Sequence, residues 1–228
     1  MKSQFRDFNQ EALVWDDNPA RVKLAEDVAA AMMREVVLRS DMDVLDFGCG
    51  TGLIALKLAP EVRSVTGADL SRGMLDVLEA KVARQGLPHV STRHLEKDGD
   101  LGGPYDVIVS SMTFHHIEEI ESLLVQFHRA LKPEGVVCIA DLDLDQGEFH
   151  ADNTGVFHGG FERTALRELF EKSGFSSVTV STAAEMAKLG RAGELRKFGI
   201  FLLVANNAKP RPKCSVGIRS TMDTPSLF

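Results

Sequence analysis

A chain of 228 residues with 44% hydrophobic content can bury one full core without help from disulfides or structural metals. Its formal net charge of -7 repels phosphate backbones, so a nucleic-acid partner is disfavoured and a small molecule is expected. The cysteines Cys49, Cys138 and Cys214 are too scattered to form a metal-ligand pair, and no apolar run approaches the roughly 18 residues of a membrane span, so a cytoplasmic, unanchored protein without a bound metal is expected.

In chain order, Ala20 to Arg39 places Ala25, Val28, Ala29, Met32 and Val36 at three- and four-residue spacings, the helical period. Five short apolar runs follow, at Asp43 to Asp46, Ser64 to Asp69, Val90 to Arg93, Val107 to Ser110 and Val136 to Asp141, and read as strands. Helical patterns lie between them. One starts after Ser71, a favourable N-cap, with Leu75, Leu78 and Val82 on one face; another runs from about Glu118 to Leu131. Alternating strands and helices imply a doubly wound α/β sheet, mostly parallel. Beyond Asp145, a helix from Thr164 to Ser173 and two β-rich runs, Ser177 to Ser181 and Phe198 to Ala205, would close the sheet as an antiparallel pair. The single domain is expected to span residues 1–205, with 206–228 as a flexible tail.

Gly48, Gly50 and Gly52 follow directly on the first strand. Glycines at this point let the backbone turn tightly and approach a ligand closely. About twenty residues on, the second strand ends in Asp69, placed to accept hydrogen bonds from ribose hydroxyls. Asp46, just before the glycines, can meet an ammonium group or serve as a strand-end carboxylate held by loop amides. A nicotinamide dinucleotide fits less well, because its fingerprint needs a glycine where this chain has Leu53.

The segment Asp46-Phe47-Gly48-Cys49-Gly50-Thr51-Gly52 resembles the first motif of class I S-adenosylmethionine (SAM) dependent methyltransferases. Tyr105 to Ser111 and Leu131-Lys132-Pro133-Glu134-Gly135 resemble their fourth- and fifth-strand segments. The likeness is greatest to the small-molecule group that includes ubiquinone and menaquinone C-methyltransferases. It implies a seven-stranded sheet with an antiparallel last strand, and SAM as cofactor. On that resemblance Asp46, Gly48, Cys49 and Gly50 lie at the methionine portion, Asp69 holds the ribose, and Leu70 and Met74 flank the adenine. Where the family usually has an aspartate after its third strand, this chain reads Arg93-His94-Leu95-Glu96. His94, Glu96 or the amide of Leu95 would therefore meet the adenine.

In open α/β sheets substrates lie beyond the carboxyl ends of the strands, which nominates Ser110, Ser111, Met112, His115, His116 and Asp141, with Ser110 also expected at the cofactor and His115, His116 and Asp141 at the chemistry. The histidines are the natural general-base candidates, since imidazole titrates near neutrality. Asp141 to His150 is rich in oxygen and nitrogen ligands, yet its spacing matches neither an EF-hand nor a zinc motif, so a solvated loop is expected. His158 suggests a lid, and Phe8, Trp15 and the turn Asp16 to Pro19 suggest an N-terminal cover over the cofactor. The sequence identifies neither the methyl acceptor nor the oligomeric state. A SAM-binding module without catalysis is the remaining alternative.

Overall fold

The computed structural model describes residues 7–96, 99–190 and 193–207. Seven strands form one sheet: β1 (Asp43–Phe47), β2 (Ser64–Asp69), β3 (Val90–His94), β4 (Tyr105–Ser111), β5 (Leu131–Leu142), β6 (Phe175–Leu189) and β7 (Leu195–Asn207), in the order β3-β2-β1-β4-β5-β7-β6. The first five run parallel; β7 pairs antiparallel with both β5 and β6. The order reverses between β1 and β4, the place where such sheets open a crevice for ligands.

Strand alternation explains the two cores. Val44, Val65, Val107, Val109, Cys138 and Ala140 pack on one face with α2 (Pro19–Glu35) and α3 (Ala55–Leu58). Their neighbours Leu45, Ile108, Val137 and Ile139 turn to the other, under α5 (Ile120–Ala130) and α6 (Arg163–Lys172). The short α1 (Phe8–Glu11) opens the described chain, and α4 (Arg72–Gln85) follows β2.

The helix ends obey local chemistry. Asn18 accepts from the amides of Ala20 and Arg21 ahead of Pro19, Ser71 accepts from Met74 N, and Gly86 ends α4 in the left-handed conformation at φ 65°. The expected helix and strand centres hold, but the last hairpin is longer than its pattern predicts. Thr182 to Leu189 is rich in the helix formers Ala, Glu, Met and Lys, yet it is extended because β7 pairs with it past a register shift between Thr182 and Ala184. Strand β7 runs on through Asn206 and Asn207, so of the expected tail only 208–228 lies outside the described residues.

Among the described residues no helix is long and apolar enough to cross a membrane.

Candidate active site

The turn after β1 folds as it does because all three glycines take positive φ: 70° at Gly48, 52° at Gly50 and 81° at Gly52. Two of them are also sterically obliged. A Cβ on Gly48 would fall within 2.3 Å of Thr113 Oγ1, and one on Gly52 within 2.3 Å of Leu78 Cδ1. Gly50 differs, since its Cβ would meet nothing nearer than Met74 Sδ at 4.0 Å. Open space therefore stands over Gly50.

Asp69 borders that space. Its Oδ2 accepts from Gly50 N at 2.8 Å and its Oδ1 from Ser71 N at 2.8 Å, so the carboxylate ties the glycine turn to the start of α4. Each oxygen keeps a second lone pair for a diol. Burial raises the Asp69 carboxyl, against the opposing amides of Ser71, Gly50 and Leu70. Leu70 beside it is 61% exposed, an apolar side chain waiting at the rim. A ribose on Asp69 and an adenine on Leu70 fit this cradle, so the residues present suit SAM.

The remaining predicted cofactor residues divide into two groups. Asp46 is buried and faces α3, where its Oδ2 accepts from Ala55 N at 3.0 Å. Desolvation lifts its carboxyl to about 7. Cys49 packs beneath the turn against Leu75 and Leu78, its thiol pushed well above its ordinary value by burial. Met74 is buried under Gly50, and Ser110, fully buried, donates to Phe47 O at 2.8 Å, pinning β4 to β1. At the end of β3, Leu95 N donates to Asp69 O at 2.9 Å and its side chain joins the core, so this amide is engaged by β2. His94 Nε2 lies 3.0 Å from Leu70 O, and Glu96 is exposed.

An N-terminal segment lies against the glycine turn and the start of α4. Asp16 Oδ1 accepts from Thr51 Oγ1 at 2.6 Å and pairs with Lys81, which donates to Thr51 O at 2.8 Å. Asn9 Oδ1 accepts from Gly73 N at 2.8 Å and Ser71 Oγ at 2.9 Å. Arg21 sits over the Trp15 ring, 3.9 Å from its centroid, while Phe8 meets the edges of Trp15 and His116.

The acceptor-side residues converge beyond β4 and β5. His115 Nδ1 donates to Asp141 Oδ1 at 2.6 Å, with exposures of 1% and 0%. Burial pushes the Asp141 carboxyl up, but the charge and hydrogen bond of His115, with the amides of Leu142 and His115, outweigh it and hold the group below its ordinary value. His116 Nδ1 donates to Gly155 O at 2.7 Å, and His150 Nε2 lies 3.1 Å from His115 Nε2. The loop carrying His158 is sewn to the same place: Phe157 N and His158 N both donate to His115 O, and His158 Nε2 donates to Ile117 O. Thr113 Oγ1, within 3.3 Å of Gly48 O, links this cluster to the glycine turn. A depression lined by Val36, Arg39, Met42, Asp106, Lys132 and Asn206 lies at the opposite end of the strands, away from both groups.

The sequence profile of a methyltransferase domain matches residues 20–180. An uncharacterised methyltransferase of Schizosaccharomyces pombe is 30% identical over 203 residues, 80% of this chain and 71% of that one. The chain belongs to the SAM-dependent methyltransferases. A Rickettsia bellii ubiquinone biosynthesis O-methyltransferase is 25% identical to this methyltransferase over 104 residues, 46% of this chain and 43% of its own length. The fold is shared with Haemonchus contortus phosphoethanolamine N-methyltransferase 2 solved with SAM, at a TM-score of 0.62 and 18% identity, covering 81% of the methyltransferase and 53% of that chain.

Sequence reasoning missed several residues at this site. Asn9 and Lys81 carry no local signal, and the glycine motif that contains Thr51 signals no role for it, because their partners lie 30 or more positions away. His150 was visible only as one of many polar residues in an acidic stretch; only the turn following β5 brings its ring to His115.

Proposed function

We propose that the methyltransferase acts on a small molecule carrying an acidic O–H, N–H or C–H group, by in-line displacement. The observation carrying this reading is the placement of the His115–Asp141 pair and His116 next to the glycine turn, through Thr113 and Gly48. When bound, SAM supplies a methyl group on a sulfonium whose leaving group is already activated. The protein's task is then mostly alignment. Asp69 holds the ribose and Leu70 covers the adenine. Asp46 meets the methionine ammonium, and the charge it gains is offset there by its partner.

On the acceptor side, Asp141 fixes the ring of His115, and the carbonyl of Gly155 fixes that of His116. Because a carbonyl only accepts, His116 carries its proton on Nδ1 and presents Nε2 as an acceptor toward the substrate. The net charge of -7 supports a small acceptor over nucleic acid.

The test is to feed SAM and a panel of phenols, carboxylic acids, amines and thiols to the purified chain and measure S-adenosylhomocysteine by mass spectrometry. Turnover on one class, lost in His116→Ala while the SAM dissociation constant stays within about threefold, supports the reading. Tight SAM binding with no turnover across the panel overturns it.

A further inference from the structure

We infer that His115, His116 and His150 form a binding site for a divalent transition-metal ion, with Asp141 and the carbonyl of Gly155 orienting its ligands. One ring nitrogen from each histidine lies within 4.8 Å of the other two. Two of these, His115 Nε2 and His150 Nε2, are 3.1 Å apart. A tetrahedral ion with bonds of about 2.0–2.1 Å holds its nitrogens about 3.3 Å apart, so this pair already has the spacing of two ligands on one ion. His116 has a ring nitrogen within 4.8 Å of the other two, so at most about 1.5 Å of closing movement completes the set.

The surrounding bonds also select the right tautomers. His115 is protonated on Nδ1 by its bond to Asp141, and His116 on Nδ1 by its bond to Gly155 O. With Nδ1 committed to these acceptors, Nε2 is the nitrogen of each ring left to bind an ion. Metal-binding histidines commonly donate their other nitrogen to a carboxylate or a backbone carbonyl in this way, and both forms occur here side by side. A purely structural role would ask less of the site. Two Nε2 atoms in contact need only one shared proton, and nothing in that arrangement requires a third ring 4.1 Å from the first.

Three imidazoles suit zinc, iron, nickel, cobalt or copper, and three protein ligands are the number found where a further position serves water or substrate. The ion's role in methylation rests on the acceptor reading above. With the ion bound, His116 Nε2 serves as a ligand and the ion takes over its part: an acceptor coordinated through its hydroxyl loses its proton to solvent more readily. The oxygen lone pair forms the bond to the methyl carbon, and the carbon–sulfur bond breaks with its electrons on sulfur. The ion keeps its oxidation state throughout.

The test uses the full chain with any affinity tag removed, stripped with a chelator and titrated with Zn2+ by calorimetry in the absence of SAM and acceptor. One equivalent should bind with a dissociation constant below about 1 μM. His150→Ala should weaken binding by about 100-fold or more, and Asp141→Asn by about 10- to 100-fold, as losses of a ligand and of its orienting partner. The SAM dissociation constant of His150→Ala should stay within about threefold, which separates a lost ion from a lost cofactor site. Should either variant misfold, Co2+ loaded into the wild-type chain decides, since intense visible bands mark a four-coordinate site. Less than a tenth of an equivalent bound, equal Zn2+ affinity in wild type and His150→Ala, or a six-coordinate Co2+ spectrum overturns the site and leaves the rings as a hydrogen-bonded relay. A chain that binds Zn2+ and methylates no small molecule keeps the ion and loses the acceptor reading.

Discussion

Removing the Asp69 carboxylate takes an acceptor from the end of β2 and also releases the amides of Gly50 and Ser71 that it holds. Asp69→Ala should therefore weaken SAM by about tenfold or more, the scale of losing charge-assisted hydrogen bonds; an unchanged dissociation constant by calorimetry excludes the role. Asp46 behaves differently because its native carboxyl sits at about 7 instead of 3.8. The folded chain keeps a proton that the unfolded chain gives up, so the group's contribution to stability is complete below about pH 4 and is lost as the pH rises through about 7. Asp46→Asn keeps an oxygen for Ala55 N and removes that titration. Relative to wild type it should gain about 2–3 kcal/mol of stability between pH 5 and pH 8, the part of the displacement that falls in that window. Urea unfolding at the two pH values measures the gap, and an equal gap at both excludes the linkage. At this scale much was legible. Gly48, Gly50, Asp69 and Leu70 gather around the open space beyond β1 and β2, while the side chains of Ser110 and Met74 are engaged by the sheet and the core.

Elements were readable wherever the chain carries its own punctuation. Ser71 marks a helix start by its side-chain bond, as its position in the sequence implies, while Asn18 with Pro19 and the left-handed Gly86 set helix ends that the pattern alone does not place. The extension of β6 was not readable, because residues 182–189 take their conformation from β7 against their own propensity. The N-terminal cover was foreseen in outline from Phe8, Trp15 and Asp16, but its partners were not. Asp16 clamps the glycine turn from outside through Thr51 and Lys81. Asp16→Ala should speed hydrogen exchange at the amides of residues 50–52 and weaken SAM by roughly three- to tenfold, the worth of one or two partly exposed bonds. Unaltered exchange there would show the clamp to be idle.

Across the whole molecule the two faces of the sheet hold separate cores that share every central strand, so a defect in one should be felt by all. Phe127 is fully buried, edge-on to Phe47 at 5.3 Å and 6.1 Å from Phe114. Phe127→Ala should cost about 3–5 kcal/mol in a single cooperative urea transition; a loss under about 1 kcal/mol, or two transitions, contradicts a jointly stabilised domain. Architecture at this scale followed from the order of apolar runs, because parallel strands with crossovers have few solutions. The convergence of His115, His116 and His150 did not follow, since it depends on how a turn of a few residues beyond β5 happens to double back.

The reversal of β7 also decides where foreign chemistry can be attached. Asn206 pairs with Val136 in the first half of β5, and Asn207 donates to the carbonyls of Leu131 and Lys132 at its start, so the described chain finishes on the side away from the glycine turn. Its other end starts at the site itself, with Phe8 against His116. A fluorophore or surface-immobilisation handle joined beyond Asn207 departs from the far side, while one joined ahead of Phe8 begins beside the acceptor histidines.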